Sequence, residues 1–137
     1  MDKKKQFENR LRAAGERITS PRLTIFNALL RKSPIRPTEL VELLRGYAID
    51  PATTYRNVNL FRELNIIRDI VAGGQRLIEL SDDYESHHHH FWCRQCGKLI
   101  DFDSPDIEKS LNGAITLLGG VITSHHVEIS GLCKDCC

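Results

Sequence analysis

Apolar residues recur every three or four positions through the first half of the chain, which is the spacing of helices with one buried face. We predict four helices from this pattern, over residues 2–14, 21–30, 40–44 and 50–64. Glycine or proline separates one segment from the next, as expected where a helix ends. The first half is therefore predicted to be a small helical unit with a shared core.

Two β-rich stretches follow the fourth predicted helix, which has the clearest start because Asp50 is a suitable N-cap and a proline comes next. The stretches cover residues 66–71 and 76–80 and are joined across Gly73-Gly74, which predicts a hairpin. Helices followed by a two-stranded hairpin are typical of a winged helix-turn-helix. In that fold the N-terminal side chains of the recognition helix face the bases of the major groove.

Five residues of this half are candidates for DNA contact. Arg56 can donate two hydrogen bonds to guanine, and Tyr55 can pack against a thymine methyl group. Thr54 and Asn57 lie beside them on the same helix, and Arg17 in the loop before the second helix can reach a minor groove or a phosphate. The alternative is an ordinary small α/β core whose arginines are merely solvated.

The second half contains alternating patterns that include all six histidines. Successive side chains of a strand point to opposite faces, so a strand over residues 87–93 would send its histidines toward two different metal sites. One face would carry His87, His89, Phe91 and Cys93, and the other His88, His90 and Trp92. Alternation over residues 121–130 places His125 with apolar residues and His126 with polar ones, so His125 is the better ligand candidate.

Carboxylates lie near the histidines in sequence. Glu79 ends the hairpin, Asp101 and Asp103 follow the histidine run, and Glu108 is in the first turn of a helix that begins at Ser104-Pro105. Imidazole together with carboxylate suits Fe²⁺, Zn²⁺, Mn²⁺ or Co²⁺. A solvated polar turn is the alternative interpretation of the histidine run.

The cysteines form two C-x-x-C pairs, Cys93 with Cys96 and Cys133 with Cys136, separated by 36 residues. Two such pairs can close four thiolates around one tetrahedral Zn²⁺, and a site of this kind holds the fold without an open position for chemistry. Two disulfides or unligated buried cysteines are the alternatives. Cys137 is a fifth thiol that could replace Cys136.

Charge divides the chain. Residues 1–80 carry 15 Lys and Arg against 9 Asp and Glu, whereas residues 81–137 carry 4 against 9. The basic first half is suited to binding a polyanion, and the acidic second half is suited to binding metal cations. We therefore expect a DNA-binding domain over 1–80, a polar linker over 81–86 and a metal-binding domain over 87–137. No apolar run reaches the ~18 residues of a membrane span, and the N-terminus does not look like a secretory signal, so a cytoplasmic protein is expected.

Together these motifs resemble the ferric uptake regulator family of metal-responsive repressors over nearly the full length of the chain. The matching stretches are Arg17-Ile18-Thr19-Ser20-Pro21-Arg22, Ala52-Thr53-Thr54-Tyr55-Arg56, residues 87–97, and His125 followed by residues 131–136. The resemblance implies an α+β chain, with an N-terminal winged helix and a C-terminal α/β dimerisation domain. It also implies a homodimer that binds A/T-rich palindromic DNA when a regulatory metal is present.

The resemblance also implies roles for individual residues. Cys93, Cys96, Cys133 and Cys136 would hold structural zinc, while Tyr55 and Arg56 would read bases and Arg17 the minor groove. One further site would be formed by His87, His89, Glu108 and His125, and a hinge site by Glu79, His88, His90 and Asp101. The regulatory metal would be Fe²⁺ or Zn²⁺, with Mn²⁺ as a third candidate.

One departure from the family pattern concerns the hinge site, which commonly includes a histidine from the DNA-binding domain. Residues 1–86 contain no histidine, and the corresponding segment reads Ser33-Pro34-Ile35-Arg36-Pro37. This departure disfavours the peroxide-sensing branch. A zinc-dependent hydrolase and a histidine-rich metal buffer are the competing functions.

Overall fold

The computed structural model describes residues 2–137, which form two compact units, one ending at Ser86 and the other spanning His87–Cys137. The first unit contains α1 (Lys3–Ala13), α2 (Ser20–Lys32), α3 (Pro37–Arg45), α4 (Pro51–Glu63), β1 (Ile67–Ala72) and β2 (Gln75–Leu80). The second contains β3 (His89–Cys93), β4 (Leu99–Phe102), α5 (Pro105–Leu117) and β5 (Glu128–Gly131). The α+β class and the order of helices followed by a hairpin agree with the sequence-based prediction.

Aromatic rings form the centre of the first unit. Phe7 of α1 stacks on Phe26 of α2 with ring centroids 4.2 Å apart, and Phe61 of α4 meets Phe7 edge-on at 5.2 Å. All three rings are fully buried. Because these helices share one core, the face of α4 that carries Val58 and Phe61 is fixed inward, and the opposite face is presented to solvent.

The β1–β2 hairpin turns at Gly73 and Gly74, which have φ of 62° and 74°. Two successive positive φ angles are required by the turn that matches strand twist, and glycine adopts them without a steric penalty. Arg62 at the end of α4 donates to both carboxylate oxygens of Asp69 on β1, at 2.7 and 2.9 Å. This ion pair fastens the hairpin to α4.

The polar segment 81–86, predicted from the sequence to be a linker, packs on the first unit. Tyr84 is 2 % exposed and meets Phe26 edge-on at 5.3 Å. Asp83 pairs with Arg10 of α1 at 2.8 Å, and the Gln6 side chain donates to the Asp83 carbonyl at 2.9 Å. Five of the six residues in this segment are polar, and for that reason its composition predicts a linker. The one aromatic residue, Tyr84, is what packs the segment on the rest of the unit.

The sheet of the second unit has the order β4-β3-β5, with β4 antiparallel and β5 parallel to β3. The predicted strands were too long: β3 begins at His89 instead of residue 87, and only the end of the stretch 121–130 is a strand. The reason is pairing, since β5 matches β3 only from Glu128 opposite His90 to Gly131 opposite Cys93. Helix α5 provides the crossover that a parallel pair requires.

Helix α5 buries none of its residues within a single copy of the chain. Large apolar side chains of this unit are exposed, namely Ile100, Leu117, Leu118, Val121, Ile129 and Leu132. Several large exposed apolar side chains in one small unit are typical of a protein interaction surface. Among the described residues, no helix is both long and apolar enough to span a membrane.

Candidate metal and DNA sites

The four paired cysteines converge at one edge of the second sheet. Cys93 is the last residue of β3 and Cys133 follows β5, and parallel neighbouring strands end at the same edge. All four sulfur atoms lie within 4.8 Å of one another, and Cys96 Sγ is 3.8 Å from Cys133 Sγ. None of the cysteines in residues 2–137 forms a disulfide. The geometry thus brings together the predicted zinc ligands.

The shifted pKa values of these cysteines show that the cluster suits a cation. Backbone N–H groups, that of Cys96 foremost, lower the pKa of Cys93 to about 6. A hydrogen bond with the neighbouring Cys133 raises the pKa of Cys136 to about 12, so the cluster resists full ionisation. Four thiolates at this spacing require a divalent cation between them, and tetrahedral zinc fits this donor set.

A second cluster contains three histidines and one carboxylate. His87 Nε2 lies 3.0 Å from Glu108 Oε1, and His125 Nε2 lies 2.7 Å from Glu108 Oε2. His89 contacts the same carboxylate and is 1 % exposed. One ligand atom from each of the four residues lies within 4.8 Å of the others. The structure therefore gathers the four predicted ligands, while His126 is exposed.

Three separate segments supply this cluster. His89 is the first residue of β3, Glu108 is in the first turn of α5 after the Ser104 N-cap, and His125 precedes β5. The pKa of Glu108 is lowered to about 2, first by its hydrogen bond with His89 and then by the proximity of His125 and His87. The carboxylate is therefore ionised at neutral pH.

The donor set fits a divalent metal ion. The Nε2 atom of His125 is buried and close to Glu108, but it is not aligned to share a hydrogen bond with any group in residues 2–137. A nitrogen lone pair held in this way is suited to a metal, and three imidazoles with one carboxylate match Fe²⁺, Zn²⁺ or Mn²⁺.

The residues predicted for the hinge site fall in both units. In the second unit the His88 and His90 rings lie 4.8 Å apart, and His90 Nε2 is 3.5 Å from Asp101 Oδ1. In the first unit Glu79 is buried and forms an ion pair with Arg68 at 2.7 Å. The hinge site as a whole stays a prediction.

Arg68 is a partner of Glu79 that the sequence reasoning missed. The two residues lie directly opposite each other in the hairpin register, and Arg68 also donates to Asp82 at 2.9 Å. A turn centred on the two glycines fixes this register, so cross-strand counting from that turn was the signal that could have found the pair.

The DNA-binding candidates divide by exposure. Tyr55 is 43 % exposed, and Arg17 and Arg56 are also on the surface. Thr54 is fully buried and has no surface to offer to DNA, because it lies on the inner face of α4. Asn57 is 7 % exposed and is engaged inside the first unit. The sequence analysis names both because they are on the same helix as Arg56, but proximity in the sequence does not identify the helix face.

The sequence of residues 13–130 matches the pattern shared by the Ferric uptake regulator family. The chain belongs to the ferric uptake regulator family. This membership confirms the resemblance and makes the chain a transcription regulator, so neither the hydrolase nor the metal buffer is favoured.

Individual members of the ferric uptake regulator family are similar over most of their length. The peroxide-responsive repressor PerR of Staphylococcus aureus is 34 % identical, covering 92 % of this chain and 86 % of that protein. The structure of the Vibrio cholerae ferric uptake regulator has a TM-score of 0.73 at 30 % identity, covering 92 % and 98 %. That of the Francisella tularensis regulator with iron has a TM-score of 0.71 at 26 % identity, covering 89 % and 95 %.

The similarity to a peroxide-responsive repressor shows the family and not the branch. The expectation against peroxide sensing rests on the absence of histidine from residues 1–86, and it stays a prediction.

Proposed function

We propose that this chain is a cytoplasmic, homodimeric repressor of metal-homeostasis genes, in which metal held in the second unit promotes DNA binding by the first. The observation that carries the proposal is the convergence of His87, His89, Glu108 and His125 within 4.8 Å. This cluster accompanies a winged helix that exposes Tyr55 and Arg56. Metal-ligand chemistry and base-reading chemistry are therefore present in one chain.

Zinc in the four-cysteine site would supply a structural cross-link. Cys93 and Cys96 would hold it from the β3 side, and Cys133 and Cys136 from the β5 side. Since these thiols join both parallel strands at their common edge, the site would stabilise the sheet that supports α5. A stable sheet is required to present the exposed apolar residues of this unit to a second copy of the chain.

The regulatory cation would be held by the three histidines and Glu108. Because those ligands come from three segments, occupancy fixes α5 and the segment before β5 relative to β3. Fe²⁺ and Zn²⁺ both suit the donor set, with Mn²⁺ as a third candidate. The Francisella tularensis relative was solved with iron, which supports Fe²⁺ among these.

Coupling between metal and DNA requires that both ligands favour the same arrangement of the protein. The Vibrio cholerae relative shows structural rearrangement of its DNA-binding domains. This supports two arrangements in the present chain as well, one of which places two winged helices at the spacing of successive major grooves. We propose that Glu79, His88, His90 and Asp101 contribute to this coupling at the hinge.

The test is fluorescence-anisotropy binding to an A/T-rich palindromic duplex, selected from a randomised pool by the metal-loaded protein. Protein that retains only its structural zinc is titrated anaerobically with Fe²⁺, Mn²⁺ and Zn²⁺ at fixed salt. One metal should raise DNA affinity at least ~10-fold, which is about 1.4 kcal/mol of coupling. Equal DNA affinity with and without every metal would reject metal-dependent repression.

Arg56→Ala should weaken binding to this duplex by about 1–3 kcal/mol and relax the preference for one base pair. The physical reason is loss of a bidentate contact to guanine from an exposed guanidinium, whose present hydrogen bond is to Thr53 on the same helix at 3.3 Å. Binding to duplexes substituted one base pair at a time measures both effects. Unchanged affinity would show that α4 is not the recognition helix.

A further inference from the structure

A single guanidinium in the first unit joins the two segments that are proposed to contact DNA. Arg22, in the first turn of α2, donates from Nη1 to the Arg17 carbonyl at 2.7 Å and lies 2.9 Å from the Glu16 carboxylate. Its Nε donates to Asn57 Oδ1 on α4 at 3.0 Å. The Arg22 side chain is only 18 % exposed, so most of it is shielded from solvent by the groups it contacts.

Asn57 transmits this connection to the recognition helix. It is 7 % exposed, and its Nδ2 donates to the Thr53 carbonyl one turn earlier, at 2.9 Å. Tyr55 and Arg56 lie between those two residues in the sequence. The hydrogen bonds of Asn57 therefore hold the turn of α4 that presents the base-contacting side chains.

We propose that Arg22 is a positioning residue that fixes the Arg17 loop relative to Tyr55 and Arg56, so that both grooves are read at once. This inference rests on the DNA-binding function proposed above. Specific binding requires a fixed distance between the side chain that enters the minor groove and those that enter the major groove. Nonspecific attraction to phosphates has no such requirement. Loss of Arg22 should thus reduce specificity more than general DNA affinity.

Two observations argue against a direct phosphate contact by Arg22. Its Nε and Nη1 groups are already engaged by protein acceptors, and Glu16 neutralises its charge. Lysine could retain the charge but not the arrangement, because an ammonium group lacks the planar fork that reaches three acceptors. Arg22→Lys therefore separates geometry from charge.

The experiment measures dissociation constants of metal-loaded Arg22→Lys for the selected duplex and for a scrambled duplex, at several salt concentrations. We expect about a tenfold loss for the selected duplex, in line with losing a charge-assisted hydrogen bond. The scrambled duplex should change less than about twofold, and the salt dependence should be unchanged. Arg12→Lys is the matched control, since Arg12 lies on the exposed side of α1 and pairs only loosely with Glu8 at 3.6 Å.

A double-mutant cycle tests whether Arg22 acts through Asn57. Asn57→Ala should give the same selective loss, and the double variant with Arg22→Lys should lose little more. Losses that simply add would overturn the proposed route. If Arg22→Lys does not fold, Glu16→Gln replaces it in the experiment, because it removes the ion pair of the same guanidinium. This variant should lose less affinity for the selected duplex, again with little change for the scrambled one.

The remaining outcomes are also decisive. Equal weakening for both duplexes would mean that Arg22 does not act on specificity, and the positioning role would be rejected. Unchanged binding by Arg22→Lys while Arg56→Ala weakens it would reject this inference and leave the proposed function standing. If Arg56→Ala also changes nothing, the placement of the DNA site itself has failed.

Discussion

Replacing Cys133 with serine should release zinc from the second unit and unfold that unit. Structural zinc contributes ~10–16 kcal/mol of apparent binding free energy in small zinc modules, which is comparable to the ~5–15 kcal/mol stability of a typical domain. Cys133 is 5 % exposed, and its N–H donates to Cys93 Sγ at 3.4 Å. A serine hydroxyl is a poor zinc ligand, so the site would lose one of its four donors.

Zinc content, circular dichroism in the near and far ultraviolet, and light scattering measure the effect. We expect loss of zinc, loss of fixed tertiary signal from the second unit, and dissociation of the dimer. The helical signal of α1–α4 should largely remain, because those helices have their own aromatic core.

Cys137→Ser is the matched control for this experiment, since that thiol is exposed and outside the cluster of four. It should retain zinc and the dimer. A Cys133→Ser protein that keeps both its zinc and its tertiary signal would show that the cluster is not the structural site.

Replacing Glu108 with alanine should abolish the regulatory response while leaving structural zinc in place. Glu108 is the carboxylate that all three histidines of the second cluster contact, and its pKa of about 2 keeps it ionised. Without it the imidazoles lose both a ligand oxygen and the negative charge that compensates the cation. The loss of metal affinity should exceed the ~10–100-fold that removal of an outer-shell partner costs.

Calorimetric metal titration together with the anisotropy experiment measures this result. Glu108→Gln should behave like the alanine variant, because it keeps the shape but not the charge. Asp106→Ala is the matched control, since Asp106 is exposed in the same first turn of α5 and tests the effect of charge on the helix terminus alone.

A Glu108→Ala protein whose DNA affinity still rises with metal would locate the regulatory site elsewhere. The residues predicted for the hinge would then be the next to vary, beginning with His90. Such a result would leave the family membership unchanged and would move the sensing function to another cluster.

Local chemistry was readable from the chain because each signal depends on a few neighbouring residues. The Ser104 start of α5 is set by side-chain capping, the turn at Gly73-Gly74 by allowed φ angles, and the start of α4 at Asp50-Pro51 by a proline in the first turn. The spacing of the two C-x-x-C pairs likewise predicts a four-thiolate zinc site from neighbouring residues alone. The ends of the strands were harder to predict, because strand length depends on a partner strand that is distant in sequence. Both β3 and β5 are shorter than predicted for this reason.

The sequence by itself determined the order of elements, the two chemical halves and the metal-binding residue types, since these follow from periodicity and side-chain chemistry. Only the tertiary structure decided which side chains meet and which are inside. It gathered Glu108 with His125, buried Thr54 and Asn57, and packed Tyr84 of the predicted linker on the first unit. It also placed Arg22 between the Arg17 loop and α4. Those outcomes depend on how segments far apart in sequence fill a common core, which no local pattern specifies.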